Sequence, residues 1–274
     1  MLGRLRRHPT VAIGLCILLS ILTLSLIAPL IAPHDPEAQN IPQRLRPPDR
    51  EYYFGTNYLG QDVFSRVLYG GRISLLVGAA VTLLAVGGGT LAGLVAGYFR
   101  RLDPIIMRIA DGLMAFPSIL LAIALGAVMG RALHTVILAL GVAYLPRVVR
   151  IMRGSVIVVR ELEFVEAAGA IGSSAGRVVF KHILPNVMGL VLVQISFIFS
   201  SAVLGEAALG FLGVGIPPEI PSWGEIVNDG RNLFAQAPWL TIFAGLAIML
   251  TVLALNLTGD GLRDMLDPRL QKLK

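Results

Sequence analysis

Residues 73–98 read ISLLVGAAVTLLAVGGGTLAGLVAGY, a run of 26 residues without a charged side chain. A membrane-spanning helix needs about 20 consecutive apolar residues, because lipid offers no hydrogen-bond partner to backbone amides and carbonyls. The run is therefore long enough to cross a bilayer as a helix. Further apolar runs lie at 11–31, 112–130, 135–151, 187–209 and 239–257. The sequence thus predicts an all-α polytopic membrane protein with six transmembrane helices.

The composition of the whole chain agrees with this class. Of its 274 residues, 55% are hydrophobic and 15% are charged, and the mean hydropathy is +0.75. Soluble domains carry about 25% charged residues, which argues against a water-soluble globule. So much apolar surface also excludes a disordered chain. Cys16 is the only cysteine, so an internal disulfide and a zinc cluster are excluded.

The apolar run at 11–31 follows three arginines and a histidine, and this arrangement has two interpretations. A basic start before an apolar core is typical of a secretory signal peptide. The core is long for a signal peptide, however, and it has no clear small-residue cleavage site. We therefore expect an uncleaved first membrane helix.

The distribution of basic residues predicts the orientation. Six spans place both termini on one side of the membrane, and a cytoplasmic N-terminus puts 16 Lys and Arg residues inside and 7 outside. Because cytoplasmic loops carry the excess of basic residues, both termini are expected in the cytoplasm. The net charge of +6 is then a topology signal, and no nucleic-acid partner is expected.

Small residues repeat every four positions in two of the apolar runs. This spacing lets helix backbones approach closely in lipid, so we expect packing within the chain. The consecutive glycines at 87–89 weaken the second helix locally and leave a hinge open as an alternative. The two stripes are Ala85, Gly89, Gly93 and Gly97, and Ala122, Gly126 and Gly130.

No catalytic, metal or cofactor site is predicted for this chain. No Gly-Lys-Ser or Gly-Lys-Thr occurs, so the phosphate-binding loop of a P-loop ATPase is absent. No serine lies in a Gly-x-Ser-x-Gly elbow. The four histidines lack metal-ligand spacing; they are His8, His34, His134 and His182.

Few polar side chains lie within the predicted spans. Gln194 and Ser201 are seven positions apart and share a face of the fifth helix, which suggests pore lining. Serines also bond to their own preceding helical turn, so both interpretations stay open. Glu206 suggests a proton relay or a substrate site, as intramembrane acids do. Its position near the outer helix end instead favours a partly solvated structural carboxylate.

The segment 160–186, between the fourth and fifth runs, is unlike an ordinary connector. Its first half favours a helix with Leu162, Val165 and either Ala168 or Gly169 on one stripe, and Gly172 can end that helix in a left-handed conformation. A second amphipathic stretch leads to Pro185, which can redirect the chain before the next span. We do not expect so short a helix to be buried on its own chain far from the bilayer centre. It would suit a groove on a cytoplasmic partner.

The spacing within this segment is specific. It resembles the EAA loop of binding-protein-dependent ABC importer permeases. The common form of that pattern has isoleucine where this chain has histidine, and histidine is typical of the dipeptide/oligopeptide/nickel branch. The pattern reads Glu166-Ala167-Ala168, three residues, Gly172, nine residues, then His182-x-Leu184-Pro185.

The resemblance covers nearly the whole chain and is to the C-type permease subunit of that branch. The segments that carry it are FGTN at 54–57, LGQDVFSR at 59–66, AFP at 115–117, FLG at 211–213, PSWG at 221–224, APW at 237–239 and the tail at 256–269.

The resemblance implies a type I ABC importer (MetI-like) fold in a bacterial inner membrane. Residues 1–72 would form an N-terminal span and an extracytoplasmic loop, and residues 73–274 a permease core with its coupling loop at 160–186. The implied partners are a second homologous permease subunit, two ATPase subunits that bind ATP and Mg, an extracytoplasmic solute-binding protein and the surrounding lipid. No cofactor is expected in this chain.

The resemblance also assigns roles to residues of the loop. The EAA helix would sit in a groove of one ATPase subunit and transmit its movement to the bundle, which requires a rigid element and two global states. Glu166 would make polar contacts, while Ala167 and Ala168 would permit close approach. Gly172 would form the bend. The expected coupling residues are Glu166, Ala167, Ala168, Gly172, Leu184 and Pro185.

The cargo implied by the resemblance is di- or oligopeptides, with nickel, glutathione or opine-like solutes left open. A secondary transporter driven by an ion gradient is the alternative from another class. It would need intramembrane ionisable pairs and usually inverted repeats, and the sequence shows one marginal carboxylate and no evident repeat. A purely structural membrane anchor would leave the segment 160–186 unexplained.

Overall fold

The computed structural model describes residues 9–266, and this part of the chain is helical apart from its loops and one isolated bridge between Thr56 and Asp62. The basic residues at both ends and the last part of the segment 256–269 lie outside the described residues. The helices are α1 (Pro9–Leu26), α2 (Ala28–Ile31), α3 (Val63–Thr82), α4 (Gly88–Tyr98), α5 (Asp103–Met114), α6 (Ser118–Met129), α7 (Leu133–Arg160), α8 (Glu163–Ala170), α9 (Ala175–Arg177), α10 (Leu184–Phe211), α11 (Trp223–Gly230) and α12 (Pro238–Leu266).

Within the described residues, four continuous helices are long and apolar enough to cross a membrane. Two of them contain a π-helical turn, Leu83–Gly87 between α3 and α4 and Val178–Ile183 between α9 and α10. The pair α5 and α6, bent by 87°, is a fifth candidate, and α1 is a shorter apolar helix. The protein is thus an all-helical polytopic membrane protein with four to five candidate spans and a shorter apolar N-terminal helix.

The second predicted span begins earlier than the sequence indicated. Helix α3 starts at Val63 rather than at residue 73, because Asp62 caps it: the Ser65 amide donates to the Asp62 carboxylate at 3.0 Å. Such a cap satisfies a backbone donor that the first helical turn leaves free. Arg66, Gly70 and Gly71 lower the local hydropathy, so the apolar pattern did not indicate that the helix begins before residue 73. The loop expected to reach residue 72 therefore ends at Asp62.

The third predicted span, 112–130, is broken. Helix α6 begins only at Ser118, and the preceding residues Ala115–Pro117 form the corner at which α5 turns away. Proline has no backbone amide and disfavours a helical conformation at the residue before it, so a helix approaching Pro117 ends. The other end of α6 is set by Gly130, which has a φ of +83°.

The small residues of the second span pack against α7, as the sequence predicted. A Cβ atom built on Gly89 or Gly97 would lie 2.6 Å from the Cβ of a valine on α7, and one built on Gly93 would lie 2.5 Å from the Cβ of Met152. Along this stripe, the backbone of α4 therefore lies directly against side chains of α7. The second stripe is used less within the chain, since nothing lies within 4 Å of a Cβ built on Gly130.

The largest buried apolar cluster lies between α3, α6, α7 and α10 and places α7 and α10 at the centre of the bundle. A second cluster joins α3, α10, α11 and α12 around Trp223, which is 1% exposed. Helix α1 packs against α12 and α3. Because α7 and α10 run on into the segment 160–186, that segment is joined directly to the central helices.

Candidate functional site

Helix α8 has well-defined ends. Its first turn carries two glutamates, and negative charge at a helix N-terminus is favoured by the helix dipole. After its last residue, Gly172 has a φ of +84°, and the Ser173 amide donates to the Ala168 carbonyl at 3.1 Å. This is a Schellman motif, in which glycine takes the left-handed position at little cost. Gly172 therefore ends α8 in the conformation that the sequence predicted.

The inner side of α8 is buried on its own chain. Val165 is 4% exposed and Ala168 6%, and both pack at the end of the bundle. The expectation that this helix would not be buried on its own chain is thus wrong for these two residues. The sequence did not show that α7 and the π-helical turn Val178–Ile183 extend far enough to pack against the inner side of α8. Their neighbours in this cluster are Leu94, Val156, Val178, Val179 and Ile183.

The outer face of α8 is open in this chain. It carries two large apolar side chains, Phe164 and Ile171, which are 46% and 84% exposed, beside carboxylates and small side chains. Two of the predicted coupling residues, Glu166 and Ala167, lie on it, whereas Ala168 lies on the inner side. The outer face of α8 consists of Glu163, Phe164, Glu166, Ala167, Gly169, Ala170 and, just after the helix, Ile171.

The remaining predicted coupling residues lie at the start of α10. Leu184 is half-buried between two apolar clusters, and Pro185 is exposed in the first turn. The expected change of direction at Pro185 does not occur, because residues Ala175–Phe211 form one continuous helix. The π-helical turn just before Pro185 widens the helix where a proline ring would otherwise clash with the preceding turn. Leu184 therefore packs against the cluster on the inner side of α8, whereas Pro185 is exposed at the start of α10.

Arg160 ties the base of α8 to the bundle. Its Nη1 donates to the carbonyl oxygen of Gly97 at 2.8 Å, at the end of α4, and its Nη2 donates to Glu161 at 2.8 Å. The same hydrogen bond holds the pKa of the Glu161 carboxyl below its usual range. Since helix carbonyls at a C-terminus lack partners within the helix, this arginine connects α4, α7 and the start of α8.

Two further arginines of α7 hold α5. The Arg153 guanidinium makes a two-pronged contact with Asp103, at 2.5 and 2.6 Å, and Arg150 contacts Asp111 at 2.5 Å. Paired hydrogen bonds between a guanidinium and a carboxylate fix orientation as well as distance. Helices α4, α5, α7 and α8 are therefore joined by polar contacts at the same end of the bundle.

The predicted pore-lining residues are not brought together. Gln194 is 8% exposed, Ser201 is half-buried, and Glu206 is 1% exposed. Gln194 and Glu206 are twelve positions apart on α10, or about 18 Å along the helix. Two surface grooves, of about 1150 and 550 Å³, meet at Ala79 and Phe199. Neither of these two grooves is lined by Gln194, Ser201 or Glu206. Pore lining by these three residues stays a prediction.

Glu206 is enclosed, so the expectation of partial solvation is wrong. Ser74 on α3 donates to its carboxylate at 2.8 Å, and the Trp223 amide donates to the Ser74 hydroxyl at 3.1 Å. A Cβ built on Gly224 would lie 3.0 Å from a Glu206 carboxylate oxygen. Helix α11 thus folds over the outer end of α10, which hydropathy along the sequence does not reveal. These contacts join α3, α10 and α11.

The same end of the bundle holds a polar network that sequence reasoning missed. Arg66 is 3% exposed; its guanidinium lies 4.0 Å from Asp229 and donates to Gln61 at 2.9 Å. Asn57 also donates to Asp229, at 3.3 Å. Burial raises the pKa of Asp229 to about 6, although Arg66 acts in the opposite direction. One signal in the sequence could have indicated this network: Arg66 lies in a mostly apolar stretch, which suggests that it is buried and needs an acidic partner.

These features can be compared with known proteins. The profile of the family described as "binding-protein-dependent transport system inner membrane component" matches residues 89–272, more than half of the chain. This chain belongs to that family. A second profile, described as the N-terminal TM domain of oligopeptide transport permease C, matches residues 1–48 of the permease.

Relatives of the permease match it along nearly its whole length. It is 46% identical to a putative peptide transport system permease protein of Brucella abortus over 98% of this chain and 90% of that protein. It is 42% identical to a dipeptide transport system permease protein of Alkalihalophilus pseudofirmus, over 98% and 88%. It is also 42% identical to a glutathione transport system permease protein of Pectobacterium atrosepticum, over 97% and 89%.

The family membership settles the class of protein. The permease is an inner membrane component of an ABC transport system and is not itself the ATPase. Its place in a binding-protein-dependent system implies ATPase and binding-protein partners. The ion-coupled secondary transporter that the sequence left as an alternative is therefore excluded.

Proposed function

We propose that this permease imports di- or oligopeptides delivered by an extracytoplasmic binding protein, and that α8 couples it to ATP hydrolysis. The coupling role is supported by the division of α8 into a buried inner side and an open outer face. Support for peptides comes from the relatives in Brucella abortus and Alkalihalophilus pseudofirmus. Glutathione, itself a small peptide, is the second candidate because one relative carries that name.

The proposed topology has six spans. The four long helices, the α6 arm of the bent pair and the shorter α1 make six crossings, with both termini in the cytoplasm. Because α3 begins at Val63, we assign residues 1–62 to an N-terminal span and an extracytoplasmic loop, and residues 63–274 to a permease core of type I ABC importer (MetI-like) fold. The proposed assembly pairs this chain with a second permease subunit and two ATPase subunits that bind ATP and Mg.

The length of α7 supports a cytoplasmic position for α8. Arg160 lies 27 residues after Leu133, which is about 40 Å along a helix. The hydrocarbon core of a bilayer is about 30 Å thick. If Leu133 lies near the outer boundary, Arg160 and α8 extend beyond the inner boundary, where an ATPase subunit can reach them.

In the proposed mechanism, the outer face of α8 binds the ATPase and the inner side transmits its movement. Glu166 makes the polar contact, and Ala167 lets the partner approach closely. Gly172 fixes the bend that follows α8. Ala168 and Leu184 pack α8 onto the bundle from its inner side, and Pro185 lies exposed in the first turn of α10. Because Arg160 ties α8 to α4 and α7, movement of the ATPase acts on the central helices together.

Growth on peptides tests the substrate. A strain that cannot make leucine and lacks this permease should fail to grow on leucine-containing di- and oligopeptides, and the intact chain should restore growth. A Glu166→Lys chain should not restore it, whereas a Glu219→Lys chain should, because Glu219 is exposed at the other end of the bundle. Normal growth on peptides together with lost use of glutathione would reassign the substrate without removing the transport function.

A further inference from the structure

Helix α5 lies across the direction of the membrane spans. It forms an angle of 87° with α6, to which the corner Ala115–Pro117 joins it directly. Its 12 residues extend about 18 Å. A helix that turns at a right angle into a span runs along the membrane plane, so the question is at which depth it lies.

The contacts with α7 give that depth. Arg150 and Arg153, which hold α5 through Asp111 and Asp103, lie 17 and 20 residues after Leu133. These positions are about 26 and 30 Å along α7, close to the thickness of the hydrocarbon core, about 30 Å. With α8 on the cytoplasmic side, as in the proposed topology, α5 lies at the boundary between the acyl chains and the cytoplasmic headgroups.

One side of α5 faces the protein and the other is open. Ala110 is 4% exposed, whereas Ile105 and Ile109, one turn apart, are 60% and 62% exposed. Arg101 and Arg108 are exposed beside this apolar strip, and neither forms an ion pair with another residue between 9 and 266. An apolar strip bordered by unpaired arginines is the pattern of helices that lie in the membrane interface.

The apolar strip continues onto exposed apolar side chains of the corner and of α6. Phe116, at the corner between α5 and α6, is 61% exposed, and Leu120 and Val128 on α6 are 56% and 87% exposed. Aromatic side chains are enriched at the headgroup level of membrane proteins. The cytoplasmic leaflet carries anionic lipids, which attract arginines close to the surface. Both the apolar continuity and the positive charge therefore favour lipid as the occupant.

We propose that α5 is an interfacial helix that binds anionic phospholipid headgroups of the cytoplasmic leaflet through Arg101 and Arg108, with Ile105 and Ile109 among the acyl chains. The inference depends on the proposed topology but not on the proposed cargo. Since α5 is bonded to Arg150 and Arg153 of α7, which precede α8, bound lipid sets the depth of this end of α7 in the membrane.

Spin labelling of the assembled transporter tests the occupant. Cys16 is the only cysteine, so a Cys16→Ser chain provides a background for a single label at Ile109→Cys. We expect that label to collide readily with oxygen, which concentrates in lipid, and poorly with a water-soluble nickel chelate. Leu120→Cys provides the lipid-exposed reference and Glu219→Cys the water-exposed one. A label at residue 109 shielded from both reagents would show that a protein subunit covers α5 and would overturn the proposal, as would ready contact with the nickel chelate.

Lipid retention tests the arginines. The complex is purified from membranes that contain phosphatidylglycerol, and the bound lipid is counted by native mass spectrometry. The double variant Arg101→Gln/Arg108→Gln should bind phosphatidylglycerol roughly 30-fold more weakly, at about 1 kcal/mol for each arginine. The matched variant Arg44→Gln/Arg50→Gln, exposed in the loop before α3, should retain it. Equal retention by the two variants would refute the arginine contacts. Neither assay uses peptide, so failure of the proposed cargo leaves both readouts intact.

Discussion

Addition of a single methyl group at Gly93 should disrupt the close contact between α4 and α7. A Cβ atom at this position would lie 2.5 Å from the Cβ of Met152 and 3.0 Å from the backbone oxygen of Val149. Carbon atoms in contact normally stay about 3.5–4.0 Å apart. Met152 is fully buried and its Cβ cannot rotate away, so the two helices must separate by about 1 Å.

The magnitude follows from a comparison with a second glycine. Overpacking of this kind costs about 1–3 kcal/mol, while replacing glycine by alanine inside a helix gains up to about 1 kcal/mol from backbone propensity. Gly154 lies in α7, and nothing lies within 4 Å of a Cβ built there. Gly154→Ala should therefore show the propensity gain alone. The difference in unfolding free energy between the two variants, about 1–3 kcal/mol, isolates the overpacking.

Thermal unfolding of the purified complex in detergent measures this difference. The apparent melting temperature of Gly93→Ala should lie below that of Gly154→Ala by roughly 2–12 °C, using about 2–4 °C for each kcal/mol. A Gly93→Ala protein as stable as the Gly154→Ala protein would refute the close packing of α4 on α7. It would also remove the rigid connection on which the coupling mechanism depends.

Three further changes test other parts of the structure. Burial raises the pKa of Asp229 to about 6, above the value of about 3.9 expected in an unfolded chain, so the folded state favours its protonated form. Stability should fall as pH rises between these values, by roughly 3 kcal/mol in all, and melting curves from about pH 4 to 8 should show Asp229→Asn losing this slope. Arg160→Gln removes the charged hydrogen bond to the Gly97 carbonyl, so transport per ATP hydrolysed should fall several-fold while ATPase binding persists; an unchanged ratio would count against the role of Arg160. Trp223→Phe removes the indole donor to the Val67 carbonyl at 2.9 Å and should cost about 1–3 kcal/mol, seen as faster proteolysis of the segment around α11; unchanged proteolysis would show that this bond contributes little.

Hydropathy predicted the apolar cores of the spans but not where the helices begin and break. The start of α3 depends on the Asp62 cap, which extends the helix through a stretch with a buried arginine, Arg66. The break before α6 depends on Pro117, whose effect an average over many residues conceals. Local chemistry at single residues thus decided the boundaries that the apolar pattern left open.

The segment 160–186 shows the same limit. The spacing of its residues indicated a short helix ending at Gly172, and this depends only on local backbone preferences. The burial of Val165 and Ala168 depends on how far α7 and the π-helical turn extend at this end of the bundle, which no local pattern records. Likewise, the ion pair of Arg66 with Asp229 joins residues far apart in the chain, so it emerged only from the fold.

The central claim is that the outer face of α8 binds an ATPase subunit through Glu166. The most direct test is the affinity of purified ATPase subunits for the permease complex carrying Glu166→Lys, beside Glu219→Lys as the matched charge change at the opposite end of the bundle. Loss of a charged contact worth about 1.5–3 kcal/mol predicts binding that is roughly 10- to 150-fold weaker for Glu166→Lys, with Glu219→Lys unchanged. Equal affinity of both variants, together with normal peptide uptake, would contradict the account.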